Sequence, residues 1–137
     1  MKTQRFVIDT NVYLSALLFG GNPRTVVESA FRDGHSVIIS EEIFTEMRKV
    51  ITKKFPKFIA EYNGFEAVLR INTIPVVLGG IIISVARDAK DNMILETAML
   101  GGCQHVITGD ADLLVLRNYK KISMVTPAEA VEKGLFN

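Results

Sequence analysis

The sequence predicts an α/β fold: a three-layer α/β/α sandwich with a mostly parallel central sheet. Two observations predict it. Short apolar runs alternate with helical segments along the chain, the pattern of strands joined by crossover helices. Acids also close two of those runs: Asp9 follows Phe6-Val7-Ile8, and Asp110 follows His105-Val106-Ile107-Thr108-Gly109. In open parallel sheets, ligands bind outside the carboxyl ends of the strands, at the topological switch point.

Residues 5–9 read as a short buried strand. Residues 11–19, with Leu14, Leu17 and Leu18, form a short helix stopped by Gly20-Gly21. Asn22-Pro23 opens a second helix, since Asn is a good N-cap and Pro is tolerated in the first helical position. Gly34 ends it, and 35–39 is the second strand. Ser40 caps a helix to about residue 53, and another covers roughly 56–71. The stretch 74–86 is β-branched and broken by glycine, so it is expected to be extended, with no pairing assigned. Asp88 or Lys90 starts a helix that Gly101-Gly102 ends. A strand over 104–107, a short helix over 111–116, a last strand over 121–125 and a helix from Pro127 to about 133 complete the chain.

The 137 residues are enough for one domain, spanning 1–137, with a real core. Hydrophobic residues at 48% and charged residues at 23% place the chain among ordinary globular proteins. A net charge of +1 argues neither for nor against a nucleic-acid partner. The single cysteine, Cys103, excludes an internal disulfide framework and fits a small buried thiol in a reducing compartment. The N-terminal apolar run is too short for a signal sequence. The stretch from Ile74 to Ala86 is interrupted by Pro75, Gly79, Gly80 and Ser84, and is too short to span a bilayer. A soluble, cytoplasmic protein with no membrane association is expected.

Two further acids face the expected interior. In the helix after Ser40, Ile43, Met47, Val50 and Ile51 form one buried stripe, and Glu46 lies at its edge. In the helix after Asp88, Ile94, Leu95 and Ala98 define the buried side, and Asp91 falls within that arc one turn earlier. Each acid has an ordinary reading too. Glu46 would serve as a surface partner for a nearby lysine, Asp91 as a complement to the helix dipole, and Asp9, Asp88, Asp110 or Asp112 as helix caps. Four acids converging on one sheet edge are harder to explain that way. Two carboxylates about 5 Å apart repel by roughly 3 kcal/mol at an effective dielectric near 20. Several such pairs would rival the whole stability of a small domain, on the order of 5–15 kcal/mol. A bound cation relieves this. His35 and His105 sit at strand starts, at the opposite end of the sheet, so the site is oxygen-only and suits Mg²⁺ or Mn²⁺ rather than Zn²⁺. Such a site is suited to phosphodiester hydrolysis.

Four segments then carry a resemblance: Val7-Ile8-Asp9-Thr10-Asn11-Val12, Ser40-Glu41-Glu42-Ile43-Phe44-Thr45-Glu46, Asp88-Ala89-Lys90-Asp91-Asn92 and Thr108-Gly109-Asp110-Ala111-Asp112-Leu113-Leu114. In order and spacing they resemble a PIN domain of the VapC-like toxins, across essentially the whole chain. The resemblance implies a metal-dependent ribonuclease that cleaves RNA, the toxin of a toxin–antitoxin pair, with an antitoxin partner and frequent homodimers. By motif position it implies Asp9, Glu46, Asp91 and Asp110 as the catalytic metal-site acids, with Asp112 assisting in some members. Thr108 and Asn11 match polar positions that hold the acids or a water, and Asn92 is a candidate supporting donor. Ala89 departs from the family's frequent proline, at a position that is not a ligand.

Arg48, Lys49, Lys53, Lys54 and Lys57 crowd one stretch near Glu46, either as RNA phosphate contacts or as a solvated helix face. Phe55, Phe58, Tyr62 and Phe65 are read as core rather than base-stacking groups. The cluster Tyr13, Leu14, Leu17, Leu18 and Phe19 is read as core, with a dimer surface as the alternative. Two rival functions share some of these features. A receiver-type phosphoacceptor also carries an acidic pocket at strand ends, but strand 35–39 ends in Ser40 and no Lys-Pro follows a late strand. A catalytically silent PIN-fold binding module would be favoured by loss of an acid, yet all four are present.

Overall fold

Successive residues of a strand point to opposite faces, so Phe6, Val7 and Ile8 can all be buried only where both faces of the sheet are covered. All three are fully buried. They belong to β1 (Arg5–Ile8). The computed structural model of the protein describes residues 4–32, 34–79 and 85–136. In it β1 is joined by β2 (Ser36–Ser40), β3 (Ile74–Val76), β4 (His105–Ile107), β5 (Asn118–Tyr119) and β6 (Ile122–Val125). The sheet runs β3-β2-β1-β4-β6-β5. Every pairing is parallel except that of β5 with β6. Strand order therefore reverses direction between β1 and β4, where Val7 aligns with Val106. That is the switch point at which such sheets bind ligands.

Seven helices accompany the sheet among the described residues: α1 (Thr10–Leu18), α2 (Gly21–Ala30), α3 (Glu41–Lys54), α4 (Ile59–Asn72), α5 (Ala89–Leu100), α6 (Ala111–Leu114) and α7 (Pro127–Glu132). A single 3₁₀ turn, Pro56–Phe58, joins α3 to α4. The stripe expected on α3 is present: Ile43, Met47 and Ile51 are buried, with Phe44 beside them. The last helix is fixed by a capping box, in which the Thr126 hydroxyl accepts from Glu129 N–H and the Glu129 carboxylate accepts from Thr126 N–H.

Several local expectations shift. The second helix begins at Gly21, not at Asn22-Pro23. Gly20 adopts φ 81°, which lets the chain turn directly out of α1, and Arg24 Nε then donates to the Ala16 carbonyl at 3.1 Å. Ser40 occupies the N-cap position of α3 but does not cap it. Its fully buried hydroxyl lies 3.0 Å from the Thr97 hydroxyl of α5 instead. The hairpin strand β5 went unanticipated because its turn, Lys120-Lys121, carries φ of 48° and 70° without the Asn-Gly signature of such turns. Of the stretch 74–86, residues 74–76 form β3 against β2, while 80–84 lie outside the described residues.

Two features at the other end of the sheet bear on the site. His105 starts β4, and its ring stacks on Phe6 with centroids 5.5 Å apart. His35 Nδ1 accepts from Gln4 N–H, so its Nε2 donates to the Phe136 carbonyl. Both imidazoles are thus engaged away from the strand ends that carry the acids. Gly101, after α5, packs against the sheet so closely that a Cβ there would lie 2.6 Å from Ile38 Cγ2.

Candidate active site

Asp9 leaves the end of β1, and its N–H donates to Ile107 at the end of β4. One residue later in β4's own path, Thr108 is fully buried. Its hydroxyl donates to Asp9 Oδ2 at 2.7 Å and accepts from Asp110 N–H at 2.9 Å. A single threonine therefore ties both strand-end acids together across the switch point. Asp110 Oδ1 in turn accepts from Asp112 N–H and caps α6. The capping reading of Asp110 thus holds alongside its place in the site, whereas Asp9 stands before α1 without capping it.

From the other side, α5 presents Asp91, which is only 4% exposed. The helix start that carries it is set by Asp88, whose carboxylate accepts from Lys90 N–H. From α3 comes Glu46. Asp9, Glu46, Asp91 and Asp110 line one cleft of about 210 Å³, together with Thr10, Asn11, Val50, Lys54, Asp88, Lys90, Met93 and Ile94. Asp91, Asp110 and Asp112 each bring a carboxylate oxygen within 4.8 Å of the other two. Among the described residues, Asp91 Oδ2 is buried with no hydrogen-bond partner.

The electrostatics follow from this geometry. Burial raises the pKa of Asp91 to about 7, and the charges of Asp110 and Asp9 push the same way. Asp9 is also raised by burial, a shift that the Thr108 hydrogen bond partly offsets and the Asp110 and Glu46 charges reinforce. A buried carboxylate oxygen without a donor, in an all-oxygen cluster, fits a hard divalent cation. The donor set therefore matches Mg²⁺ or Mn²⁺ in kind.

The remaining expected residues are distributed less simply. Asn11 is exposed on the cleft wall, and among the described residues its side chain bonds none of the acids. Asn92 does not support the carboxylates. Its side chain accepts from Val85 N–H and Ala86 N–H and donates to the Ala86 carbonyl, so it clamps the loop that leads into α5. Arg48 is turned away from the cleft: it pairs with Glu41 and Glu66 at 3.0 Å each, in a network that also holds Arg70. Lys49, Lys53 and Lys54 are exposed on α3, and Lys54 borders the cleft. Tyr62 is buried and Phe55 and Phe65 pack on the core, while Phe58 is 40% exposed. Of the α1 cluster, Tyr13 and Leu14 are buried, Leu17 and Leu18 partly so, and Phe19 is 76% exposed.

A family model described as PIN domain matches residues 5–112. The chain belongs to the PIN-domain family. This PIN domain is 30% identical over 141 aligned residues to an uncharacterized protein of Methanocaldococcus jannaschii, with 94% of the chain and 90% of that protein covered. Its fold also matches the crystal structure of VapBC2 from Rickettsia felis bound to a DNA fragment from their promoter. That match has a TM-score of 0.63 and 11% identity, over 89% of this chain and 98% of the other. At that identity the likeness speaks for the VapC-like fold of this PIN domain.

Two cations of the PIN domain pair with the acids, and the sequence motifs alone do not mark them as site residues. Lys90 Nζ pairs with Glu46 at 3.0 Å, and Arg87 pairs with Asp112 at 3.2 Å. The available signal was a cation set directly before the buried Asp91 of the Asp88-to-Asn92 block. No helix among the described residues is long and apolar enough to cross a membrane.

Proposed function

We propose that the chain is a Mg²⁺- or Mn²⁺-dependent endoribonuclease that hydrolyses RNA phosphodiester bonds, and that it is the toxin of a toxin–antitoxin pair. The observation that carries the hydrolase reading is the buried Asp91 Oδ2, unpartnered among the described residues and clustered with Asp110 and Asp112 at the switch point of the sheet. Asp9, Glu46, Asp91 and Asp110 would hold the metal, with Asp112 assisting. A bound Mg²⁺ or Mn²⁺ would supply Lewis acidity, activating water and neutralising charge that builds on the phosphodiester.

The chain's own residues do the rest. Thr108 fixes the rotamer of Asp9 and the backbone of Asp110, so two acids from different strands keep one geometry. Val50, Met93 and Ile94 form the apolar part of the cleft wall. Lys54 borders the cleft where a phosphate would enter, and Lys49 and Lys53 extend the positive face along α3. Arg48 has no part in that face. The resemblance of the fold to VapBC2 supports the pairing with a cognate antitoxin, and the exposed Phe19 beside Phe55 supplies apolar surface for a homodimer or for that partner.

RNA cleavage is the test. The purified chain with Mn²⁺ is expected to cut a mixed RNA substrate, EDTA to stop it, and Asp9→Asn to abolish it while the circular dichroism spectrum stays unchanged. Full activity in Asp9→Asn, or activity in excess EDTA, would overturn the assignment.

A further inference from the structure

Lys90 stands in the first turn of α5, two residues after the N-cap Asp88. A cation there opposes the helix dipole, which favours acids at that end. Its position is accounted for by what it faces. Its ammonium lies 3.0 Å from Glu46 of α3, across the cleft, and Glu46 is only 16% exposed. Asp88 and Asp91 flank it and line the same cleft. Arg87, the residue before Asp88, pairs with Asp112 of α6 at 3.2 Å. Glu46 and Asp112 thus each have a counter-ion, Lys90 from the first turn of α5 and Arg87 from just before it. The inner oxygen of Asp91 has none.

We propose that Lys90 is a tethered counter-ion: its ammonium occupies Glu46 until a divalent cation displaces it, and it thereby sets the metal concentration at which the cleft loads. This rests on the reading of the cleft as a divalent-cation site. A monovalent ammonium on a flexible stem neutralises one carboxylate but leaves the others repelling, so the cleft stays poised for a doubly charged ion. Lysine suits the role because its four-carbon stem can swing the charge out toward solvent, and Lys90 is already 59% exposed. Loading therefore costs the Lys90–Glu46 pair and brings Lys90 within repulsive range of the incoming ion.

Calorimetric titration of Mn²⁺ into the metal-free full chain tests this. Removing one positive charge from within roughly 6 Å of a divalent ion, in a cleft open to solvent, is expected to tighten binding about ten-fold. Lys90→Met and Lys90→Gln should both show that gain, and Lys90→Arg should bind as wild type does. Because Lys90 is largely exposed, these variants should fold, and thermal unfolding before titration checks it. Affinity unchanged or weakened in both uncharged variants, with wild type binding Mn²⁺ normally, overturns the proposal and leaves the metal site standing. An absence of Mn²⁺ binding by wild type overturns the metal-site reading and this proposal with it.

Discussion

Replacing Asp91 with asparagine should stabilise the metal-free protein at neutral and alkaline pH, even though it removes a residue assigned to the metal. Burial and the charges of Asp110 and Asp9 hold the Asp91 carboxyl at about 7, against 3.8 for the unperturbed group. A carboxyl whose pKa is raised on folding favours the folded state while it is protonated. Its contribution is complete below pH 3.8 and is lost as the pH rises through 7. The shift of about three units corresponds to an upper bound of about 4 kcal/mol above pH 7. Asp91 lines a cleft, and a protein this size gains about 3–4 °C in Tm per kcal/mol, so about half the bound, roughly 6–8 °C, is the expected gain. The asparagine amide can also donate to Asp110, which the aspartate cannot do once ionised. The assay is thermal unfolding followed by circular dichroism in EDTA at pH 5 and pH 8. Wild type should lose stability between the two, and Asp91→Asn should lose much less. Mn²⁺ should raise the Tm of wild type at pH 8 and leave Asp91→Asn nearly unmoved. An Asp91→Asn Tm at or below wild type at pH 8 in EDTA would refute the electrostatic account.

Other changes probe separate parts of the molecule. Tyr13 is fully buried and its hydroxyl has no partner among the described residues, so Tyr13→Phe should raise stability by about 1–2 kcal/mol in urea unfolding; a loss would show that the hydroxyl is hydrogen-bonded. Gly101→Ala places a Cβ against Ile38 in a filled core and should cost about 1–3 kcal/mol by the same measurement, with secondary structure intact. Thr108→Val keeps the volume but removes the link between Asp9 and Asp110; Mn²⁺ affinity should fall well before global stability does, and an unchanged affinity would show that the acids are positioned without it. Lys54→Ala should weaken RNA binding and flatten its salt dependence by about one counter-ion, whereas Arg48→Ala should leave that slope unchanged.

Much of the fold was legible because it rests on local signals. The runs Phe6-Val7-Ile8 and Val37-Ile38-Ile39 are strands buried on both faces, and continuous apolar sequence states that directly. Asp88 caps α5 and Pro127 opens α7 for reasons contained within a few residues. Where the reading slipped, the deciding contact came from a distant segment. Ser40 has the sequence of a cap, but the Thr97 hydroxyl, 57 positions away, takes its side chain. Asn92 sits beside an acid in sequence, yet bonds the loop at 85–86. Arg48 shares a helix with Lys54, which lines the cleft, yet it is held by Glu41 and by Glu66 of α4. Side chains of this length choose partners across the fold, and a charge run carries no information on which partner is near.

The sequence by itself determined the layered α/β architecture, the family, and the position of Asp9 and Asp110 at strand ends, because a strand's apolar run and its closing residue are adjacent in the chain. Only the tertiary structure decided what those acids meet. Parallel pairing of β1 with β4 brings residues 99 positions apart to 2.7 Å through Thr108. The packing of α3 and α5 around that edge closes the cleft, leaves Asp91 Oδ2 without a donor and sets Lys90 on Glu46. Strand pairing and helix packing are non-local, so the charge balance of the cleft exists only once the chain has folded.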